Sequence, residues 1–172
     1  MITEYNPKSV LIVFGENIKK VREAKGIKIK EVASLSHYDR NCLSKLEYGE
    51  QNIKIQTAIK IAKALDISFP VLFSRNFMNG DKEHPELQVG NVFVDDDFLK
   101  VFVENFRKSL KENAGTQMTV VETTGVPNAA VSKIVRGKYT NPTLVTLNGM
   151  AYATKTDLYS LFVRTYSERS SI

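Results

Sequence analysis

An internal repeat constrains the fold of this sequence more than any other feature. When residue n is laid over residue n+88, identical residues meet without a gap through the front half of the chain. The identical pairs are Phe14/Phe102, Glu16/Glu104, Asn17/Asn105, Lys20/Lys108, Val32/Val120, Ser44/Ser132, Lys45/Lys133 and Gly49/Gly137. After one inserted residue the offset becomes 89, and the pairs are Ala62/Ala151, Leu72/Leu161 and Phe73/Phe162. The chain therefore contains two copies of one small domain.

The charge along the chain divides in the same way. The net charge is +5 over residues 1–80, −5 over 81–97 and +5 over 98–172. Between the basic segments, the polar run NGDKEHPE has the turn residues that are typical of a linker. We therefore predict a first domain at 1–80, an acidic linker at 81–96 and a second, diverged domain at 97–172.

The composition excludes several classes of protein. The single cysteine, Cys42, cannot form a disulfide within the chain, and no Cys/His cluster has the spacing of a structural zinc site. The longest apolar run, Val10–Phe14, is far shorter than the roughly 20 residues of a membrane span. No phosphate-binding loop, nucleophile elbow or HExxH pair is present. We expect a cytoplasmic protein with no membrane association, metal, cofactor or catalytic site.

Each copy has the pattern of a short all-α domain. Apolar residues recur at helical spacing from Val10 and from Phe98, until Gly26 and Gly115 break the pattern. Two short helices joined by a tight turn follow, the second of them beginning at Asp39 in the first copy and at Pro127 in the second. A fourth and a fifth helix come after them. Position 37 in the turn is histidine and its repeat counterpart is Gly125, and both residue types tolerate the positive φ that such a turn needs. We therefore assign His37 a backbone role.

The first copy resembles the phage-repressor and Cro-type (XRE) helix-turn-helix family. The run GENIKKVREAKGIKIKEVA, followed by LSKLEYGE and TAIKIAKALDIS, carries the resemblance, which has no gap from Phe14 to Phe73. The second copy, from FVENFRKSLKENAG to VSKIVRGKYTNPTL, is similar to a diverged member of the same family. The resemblance implies an all-α protein with two tandem five-helix, lambda-repressor-like domains joined by the short acidic linker.

The resemblance also implies which residues contact DNA bases. In this family the third helix enters the major groove. Arginine can pair with guanine and asparagine with adenine, and each good pair gives roughly 1–3 kcal/mol of discrimination. An alanine offers only a contact to the thymine methyl group. The implied base-reading residues are Arg40, Asn41 and Lys45 in the first copy, and Asn128, Ala129 and Lys133 in the second.

Contacts to the DNA backbone are implied mainly for the second copy. The family's glutamine at the start of the second helix is Gln117 there, whereas the first copy has Ile29. The loop after the recognition helix adds Arg136, Lys138 and Tyr139, where the first copy contributes Tyr48. Compared with the first copy, the second is therefore predicted to make more contacts to phosphates and fewer to bases.

A pair of coupled replacements supports the alignment of the two copies. Family members commonly pair an arginine in the first helix with a glutamate that ends the recognition helix, and Arg22 and Glu47 fit that pair. Their counterparts are Leu110 and Val135, so an ion pair has been replaced as a unit by an apolar pair. Replacement of both avoids leaving one charge buried without its partner. We predict a structural role for this pair.

These observations predict a sequence-specific regulator that binds a double-stranded DNA operator and is not an enzyme. Either the two domains act as a pseudo-dimer on two half-sites, or the chain also forms a homodimer over a longer operator. A protein-interaction or antitoxin-like regulator, in which the second domain mediates dimerisation, is the alternative from another class. The adjacent Ala129 and Ala130 favour that alternative, and the basic residues around Gln117 oppose it.

Overall fold

The computed structural model describes residues 4–75, 77 and 97–163. In this part of the chain all regular elements are helices, so the predicted all-α class is confirmed there. They are α1 (Ser9–Ala24), α2 (Ile29–Ser36), α3 (Arg40–Glu47), α4 (Ile55–Ala64), a 3₁₀ helix (Pro70–Phe73), α5 (Phe98–Glu112), α6 (Gln117–Thr124), α7 (Asn128–Val135), α8 (Leu144–Ala153) and α9 (Leu158–Phe162). None of these helices is long and apolar enough to cross a bilayer. The predicted linker at 81–96 lies outside the described residues.

The described chain divides into two compact units. The first unit contains residues 6–75 and Phe77 together with Asn141–Val145. The second unit contains residues 4–5, 97–140 and 146–163. Five residues of the second repeat, Asn141–Val145, thus belong to the same compact unit as the first repeat. The predicted domain boundaries do not include this grouping.

The core of the first unit lies between α1 and the 3₁₀ helix. Phe14 is fully buried, and its ring stacks on Phe73 with 5.2 Å between the ring centroids. Phe69 meets Phe73 edge-on at 5.1 Å. Aromatic pairs in these arrangements contribute about 0.5–1.5 kcal/mol beyond the burial of their area. The apolar side of α1 therefore packs against the 3₁₀ helix at the end of the unit.

The second unit builds its core from the equivalent residues. Phe102 and Phe162, the repeat counterparts of Phe14 and Phe73, are buried with their ring centroids 5.5 Å apart. Phe106 lies one turn further along α5, and its ring is nearly parallel to that of Phe102. The same pair of positions thus closes the core of each unit.

An asparagine holds the end of each unit against its first helix, and it is buried in the first unit and half-buried in the second. Asn17 of α1 donates from Nδ2 to the carbonyl oxygens of Leu72, at 2.9 Å, and Ser74, at 2.8 Å. Asn105 of α5 donates to Leu161, at 2.9 Å, and to the residue two positions later, at 3.1 Å. Because backbone carbonyls that are shielded from water need partners, each asparagine satisfies two such groups, one in the last helix of its unit and one just after that helix. The repeat found in the sequence is therefore also a repeat of hydrogen bonds.

We expect Asn17→Ala to lower the free energy of unfolding by about 1–3 kcal/mol, because it leaves buried carbonyls without their donor. Asn105→Ala should act in the same direction in the second unit. Urea unfolding followed by circular dichroism measures both changes. Asn41→Ala, which removes an exposed amide, serves as the control. Equal stability of Asn17→Ala and the control would contradict a structural role for this hydrogen bond.

Candidate nucleic-acid interface

The turn between α2 and α3 depends on one residue in the left-handed region. His37 has φ 52° and ψ 39°, and its counterpart Gly125, after α6, has φ 73° and ψ 6°. The next backbone amide in the first unit, that of Tyr38, donates to the carbonyl of Ala33 at 3.0 Å. The predicted backbone role of His37 is confirmed, because this conformation is what joins the two helices at a sharp angle.

The last residue of the helix before each turn makes the same hydrogen bond. Ser36 Oγ donates to the carbonyl of Val32 at 2.6 Å, and Thr124 Oγ1 donates to the carbonyl of Val120 at 2.7 Å. Both valines are fully buried. The hydroxyl therefore satisfies its hydrogen bond within its own helix.

Asp39 caps the helix that follows the first turn. Its carboxylate accepts a hydrogen bond from the backbone amide of Cys42 at 2.9 Å, and this bond lowers the pKa of the Asp39 carboxyl below its usual value. The sequence interpretation counted Asp39 inside the helix, whereas α3 begins at Arg40. The signal was present, since an aspartate directly before an amphipathic helix is a standard capping position. The counterpart in the second unit is Pro127, which makes no side-chain cap.

The predicted base-reading residues of the first copy lie on one exposed side of α3. Arg40, Asn41 and Lys45 are all exposed. The opposite side is held in the core by Leu43 and Leu46, which are fully buried. Because a helix advances about 100° per residue, the three polar side chains fall within one arc. The helix thus presents hydrogen-bonding groups to solvent from a rigidly packed support.

Tyr48 directly follows α3 and is 67% exposed. The ammonium nitrogen of Lys19 lies over its ring, 5.3 Å from the centroid. Such a cation–π contact at the surface stabilises by about 0.5–1 kcal/mol and restrains the ring. Tyr48 is therefore ordered beside the exposed side of α3. Cys42, on the same helix, is partly buried, consistent with the packing role that its alanine counterpart implies.

The second unit places its predicted base-reading residues in the same way. Asn128, Ala129 and Lys133 are exposed on α7. Val131 and Ile134 are buried on its inner side. The exposed side of α7 therefore carries one amide, one methyl group and one ammonium, which is chemically poorer than the exposed side of α3.

The predicted phosphate-contacting residues of the second unit differ in their environments. Gln117 is the first residue of α6 and is half-buried, and it lies between Thr116 and Thr119, which form a capping box at this helix end. Lys138 is exposed, whereas Tyr139 is half-buried. Arg136 folds back on its own helix, where its guanidinium hydrogen-bonds the hydroxyl and the carbonyl of Ser132. Arg136 would have to leave those partners to reach a phosphate.

Two lysines near the start of α2 escaped the sequence interpretation. Lys28 and Lys30 flank Ile29, the first residue of that helix, and both are exposed. The position of Ile29 corresponds to Gln117, where the family resemblance implies a phosphate contact. Two positive charges beside a helix N-terminus form a site suited to a phosphate oxygen. The sequence feature that could have pointed to them is a lysine on each side of Ile29, the residue that stands where the second copy has Gln117.

An ion pair ties the end of α3 to α1. Arg22 donates from Nε to Glu47 Oε1 at 2.6 Å and from Nη2 to Oε2 at 3.0 Å. The remaining nitrogen, Nη1, donates to the carbonyl of Ile27 at 3.2 Å. The hydrogen bonds to Glu47 raise the pKa of Arg22, and the Glu47 side chain is only 4% exposed. The predicted structural pairing is confirmed, and neither group is available for base reading.

The second unit holds the equivalent helix end by a different contact. Leu110 and Val135 are half-buried where the ion pair stands in the first unit. One turn earlier on α5, Arg107 Nη2 donates to the carbonyl of Val135 at 2.9 Å. A cation at a helix C-terminus is favoured by the partial negative charge of the last carbonyls. In the second unit the arginine that holds this helix end therefore stands one turn earlier in the first helix, and its acceptor is a backbone carbonyl instead of a carboxylate.

A glycine allows α1 to touch the backbone of α3. A Cβ atom at Gly15 would lie 2.1 Å from the carbonyl oxygen of Leu46, well inside van der Waals contact. The counterpart in the second unit is Val103. Because Val103 carries a branched side chain, α5 and α7 cannot approach each other as closely as α1 and α3 do.

The chemistry that these surfaces offer is hydrogen-bond donation and positive charge. In the described ranges, no three His, Cys, Asp or Glu side chains are grouped so that they could hold a metal ion. The exposed groups of α3 and α7 are guanidinium, ammonium and amide groups, which match the acceptors of base edges and phosphates.

Comparison with known proteins finds similarity in the first half of the chain. The family model described as helix-turn-helix matches residues 18–72. The control protein C.SmaI of Serratia marcescens is 27% identical over 70 residues, which are 41% of this chain and 83% of that protein. The crystal structure of the restriction-modification controller protein C.AhdI from Aeromonas hydrophila is 36% identical, covers 37% of this chain and 96% of that chain, and has a TM-score of 0.36.

We expect Arg22→Leu to lower the free energy of unfolding by about 3–5 kcal/mol, because it leaves the Glu47 carboxylate buried without its partner. Adding Glu47→Val should restore most of that loss, since it reproduces the apolar pair of the second repeat. A double-mutant cycle in urea measures the coupling. Glu23→Ala is the control. Glu23 is exposed, and its carboxylate comes no closer than 3.9 Å to the Arg22 guanidinium, so this surface ion pair contributes little to stability. A double variant no more stable than either single variant would refute the pairwise replacement.

We expect Gly15→Ala to destabilise the protein by about 1–3 kcal/mol, because the added methyl group must push Leu46 away. Helix propensity alone predicts the opposite sign, a gain of about 1 kcal/mol. Thermal unfolding decides between them. Glu16→Ala, at the next and exposed position of the same helix, should be nearly neutral. A gain in stability for Gly15→Ala would mean that α1 and α3 are not in contact at this point.

Proposed function

We propose, from the premise that residues 18–72 form a helix-turn-helix domain, that this chain is a sequence-specific double-stranded DNA-binding transcription regulator. In this proposal two tandem helix-turn-helix domains act together, with α3 and α7 as their recognition helices. The chain carries out no catalytic step and needs no cofactor. It acts in the cytoplasm on a DNA operator.

One observation carries the proposal. The exposed side of α3 bears Arg40, Asn41 and Lys45, while its other side is anchored by buried leucines and by the Arg22–Glu47 pair. A recognition helix needs this combination, since base discrimination requires donors held in a fixed orientation. The net charge of +5 adds a general attraction to DNA phosphates.

The second domain is proposed on the repeated contacts. The left-handed residue in the turn, the hydroxyl bond before it and the asparagine bonds to the last carbonyls all recur. Equivalent contacts between equivalent residues support an equivalent fold. We propose that α7 reads bases through Asn128 and Lys133, with Ala129 against a thymine methyl group. Gln117, Lys138 and Tyr139 serve the phosphate backbone, and Arg136 joins them once it leaves Ser132.

The names of the similar proteins support a role in transcription control. One is called a control protein, and the other a restriction-modification controller protein. We propose that this chain regulates a promoter in the same general manner.

A second candidate is a protein-interaction regulator in which α7 contacts a protein partner. Two observations favour it: Ala129 leaves a small apolar spot on the exposed side of α7, and the Arg136 guanidinium is bound to its own helix. In that case the first domain alone would read DNA. The exposed Lys133 and Lys138 weigh against it, because the cores of protein interfaces are depleted of lysine.

Selection of binding sites from randomised duplex DNA tests the proposal at fixed salt. We expect a two-part motif, with Arg40→Ala relaxing one part and Lys133→Ala the other. Each loss should correspond to about 1–3 kcal/mol at the affected base pair. Lys60→Ala, which removes an exposed lysine on α4, controls for the general loss of charge and should leave the motif unchanged.

The outcomes separate the two candidate functions. If only Arg40→Ala changes the motif, the second domain does not read bases, and the interaction role is favoured. If no motif is enriched, the chain is not a sequence-specific reader. A motif that weakens equally in all three variants would show that net charge alone determines binding.

A further inference from the structure

Within the first unit, two short segments pair by their backbones. Lys54 and Thr143 form an antiparallel bridge. On one side of the bridge the amide of Ile55 donates to the carbonyl of Pro142 at 2.9 Å. On the other side the amide of Leu144 donates to the carbonyl of Ile53, also at 2.9 Å.

The pairing is reciprocal in terms of the repeat. With the offset of 89, the counterpart of Lys54 is Thr143, so the bridge joins a position to its own repeat equivalent. The two flanking hydrogen bonds are also equivalent by the repeat. Leu144 is the counterpart of the donor Ile55, and Ile53 is the counterpart of the acceptor Pro142. This is the pattern of an isologous contact, in which the same surface patch meets itself.

The residues around the bridge are covered inside one chain. Ile53, Ile55 and Leu144 are at most 4% exposed, and Pro142 is buried. Asn141 adds a side-chain bond, since its Oδ1 accepts from the amide of Gln56 at 3.1 Å. A backbone edge that is paired and covered is unavailable to another strand.

The lengths of the similar proteins fit this pattern. The matched 70 residues make up 83% of the control protein of Serratia marcescens, so that protein is about half as long as this chain. It therefore has room for one repeat. A chain with one repeat could make this reciprocal contact only with a second molecule.

We propose that the edge at Ile53–Gln56 is a homotypic interaction surface whose partner is the repeat-equivalent segment of the same chain. One molecule then holds both halves of a self-complementary contact, and the protein is a monomer. This inference does not require the proposed function, because the pairing concerns the chain without DNA. Combined with that function, it means that one chain occupies one operator.

A disulfide trap tests the pairing in the full-length chain. Lys54 and Thr143 occupy a bridge position whose own amides do not bond across it, where Cα atoms stand about 4.5 Å apart and side chains are close. That separation suits a disulfide. We expect the variant Lys54→Cys/Thr143→Cys, with Cys42→Ser to remove the native thiol, to lose both free thiols on mild oxidation and to run as a single chain without reductant.

The control variant is Lys60→Cys/Thr143→Cys in the same background. Lys60 lies further along α4, so its thiol should stay free under the same oxidation. If the Lys54/Thr143 variant forms covalent dimers, the edge pairs between molecules, and the proposal is wrong. If both of its thiols remain free, the pairing does not exist in solution, which also overturns it.

Light scattering on the unmodified chain provides the second measurement. We expect the 19.4 kDa mass of one chain at every concentration, and one chain per duplex once a bound sequence is known. A mass that rises to twice this value with concentration would refute the monomer. Failure to find any bound sequence would contradict the proposed function. It would not affect the mass and disulfide results, which test the pairing within the chain.

Discussion

The close contact between α1 and α3 is the constraint on which the proposed DNA-reading surface depends. Gly15 lets the two helices touch at the carbonyl of Leu46, and the Arg22–Glu47 pair joins the same two helices about two turns further along α1. Together they orient α3 so that its leucines are buried and its polar side chains face solvent. Because the buried carboxylate requires its arginine, loss of Arg22 would weaken the hold on the helix that carries the proposed base-reading residues.

The second unit keeps this architecture with different chemistry. Val103 prevents the close backbone approach, and Arg107 holds the helix end through a carbonyl instead of a carboxylate. The cost of burying an ion pair is avoided, since an apolar pair needs no desolvation. The asparagine and the left-handed turn residue are retained. No apolar side chain can donate to two carbonyls, and few residue types accept a positive φ. The second unit therefore differs from the first where packing allows exchange and matches it where backbone groups need partners.

Much of this arrangement could be predicted from the sequence. The repeat aligned His37 with a glycine, and both residues have the conformation that such a match requires. The paired loss of Arg22 and Glu47 in the second copy predicted a contact between positions 25 residues apart, which the structure contains. Asp39 was assigned to the wrong side of a helix boundary, because the last turn of a pattern does not separate a cap from the first helical residue. The bond of Arg136 to Ser132 had no sequence signal, since rotamer choice on a surface helix depends on local geometry.

The sequence by itself determined the helical elements, the repeat and the residues that line each core. Those properties follow from local periodicity and from residue types that only certain backbone conformations accept. The tertiary structure alone decided how α1 approaches α3, which arginine holds α7, and that Asn141–Val145 pairs with Ile53–Gln56. These are contacts between residues far apart in the chain. They depend on shape and hydrogen-bond geometry in three dimensions, which periodicity along one dimension does not encode.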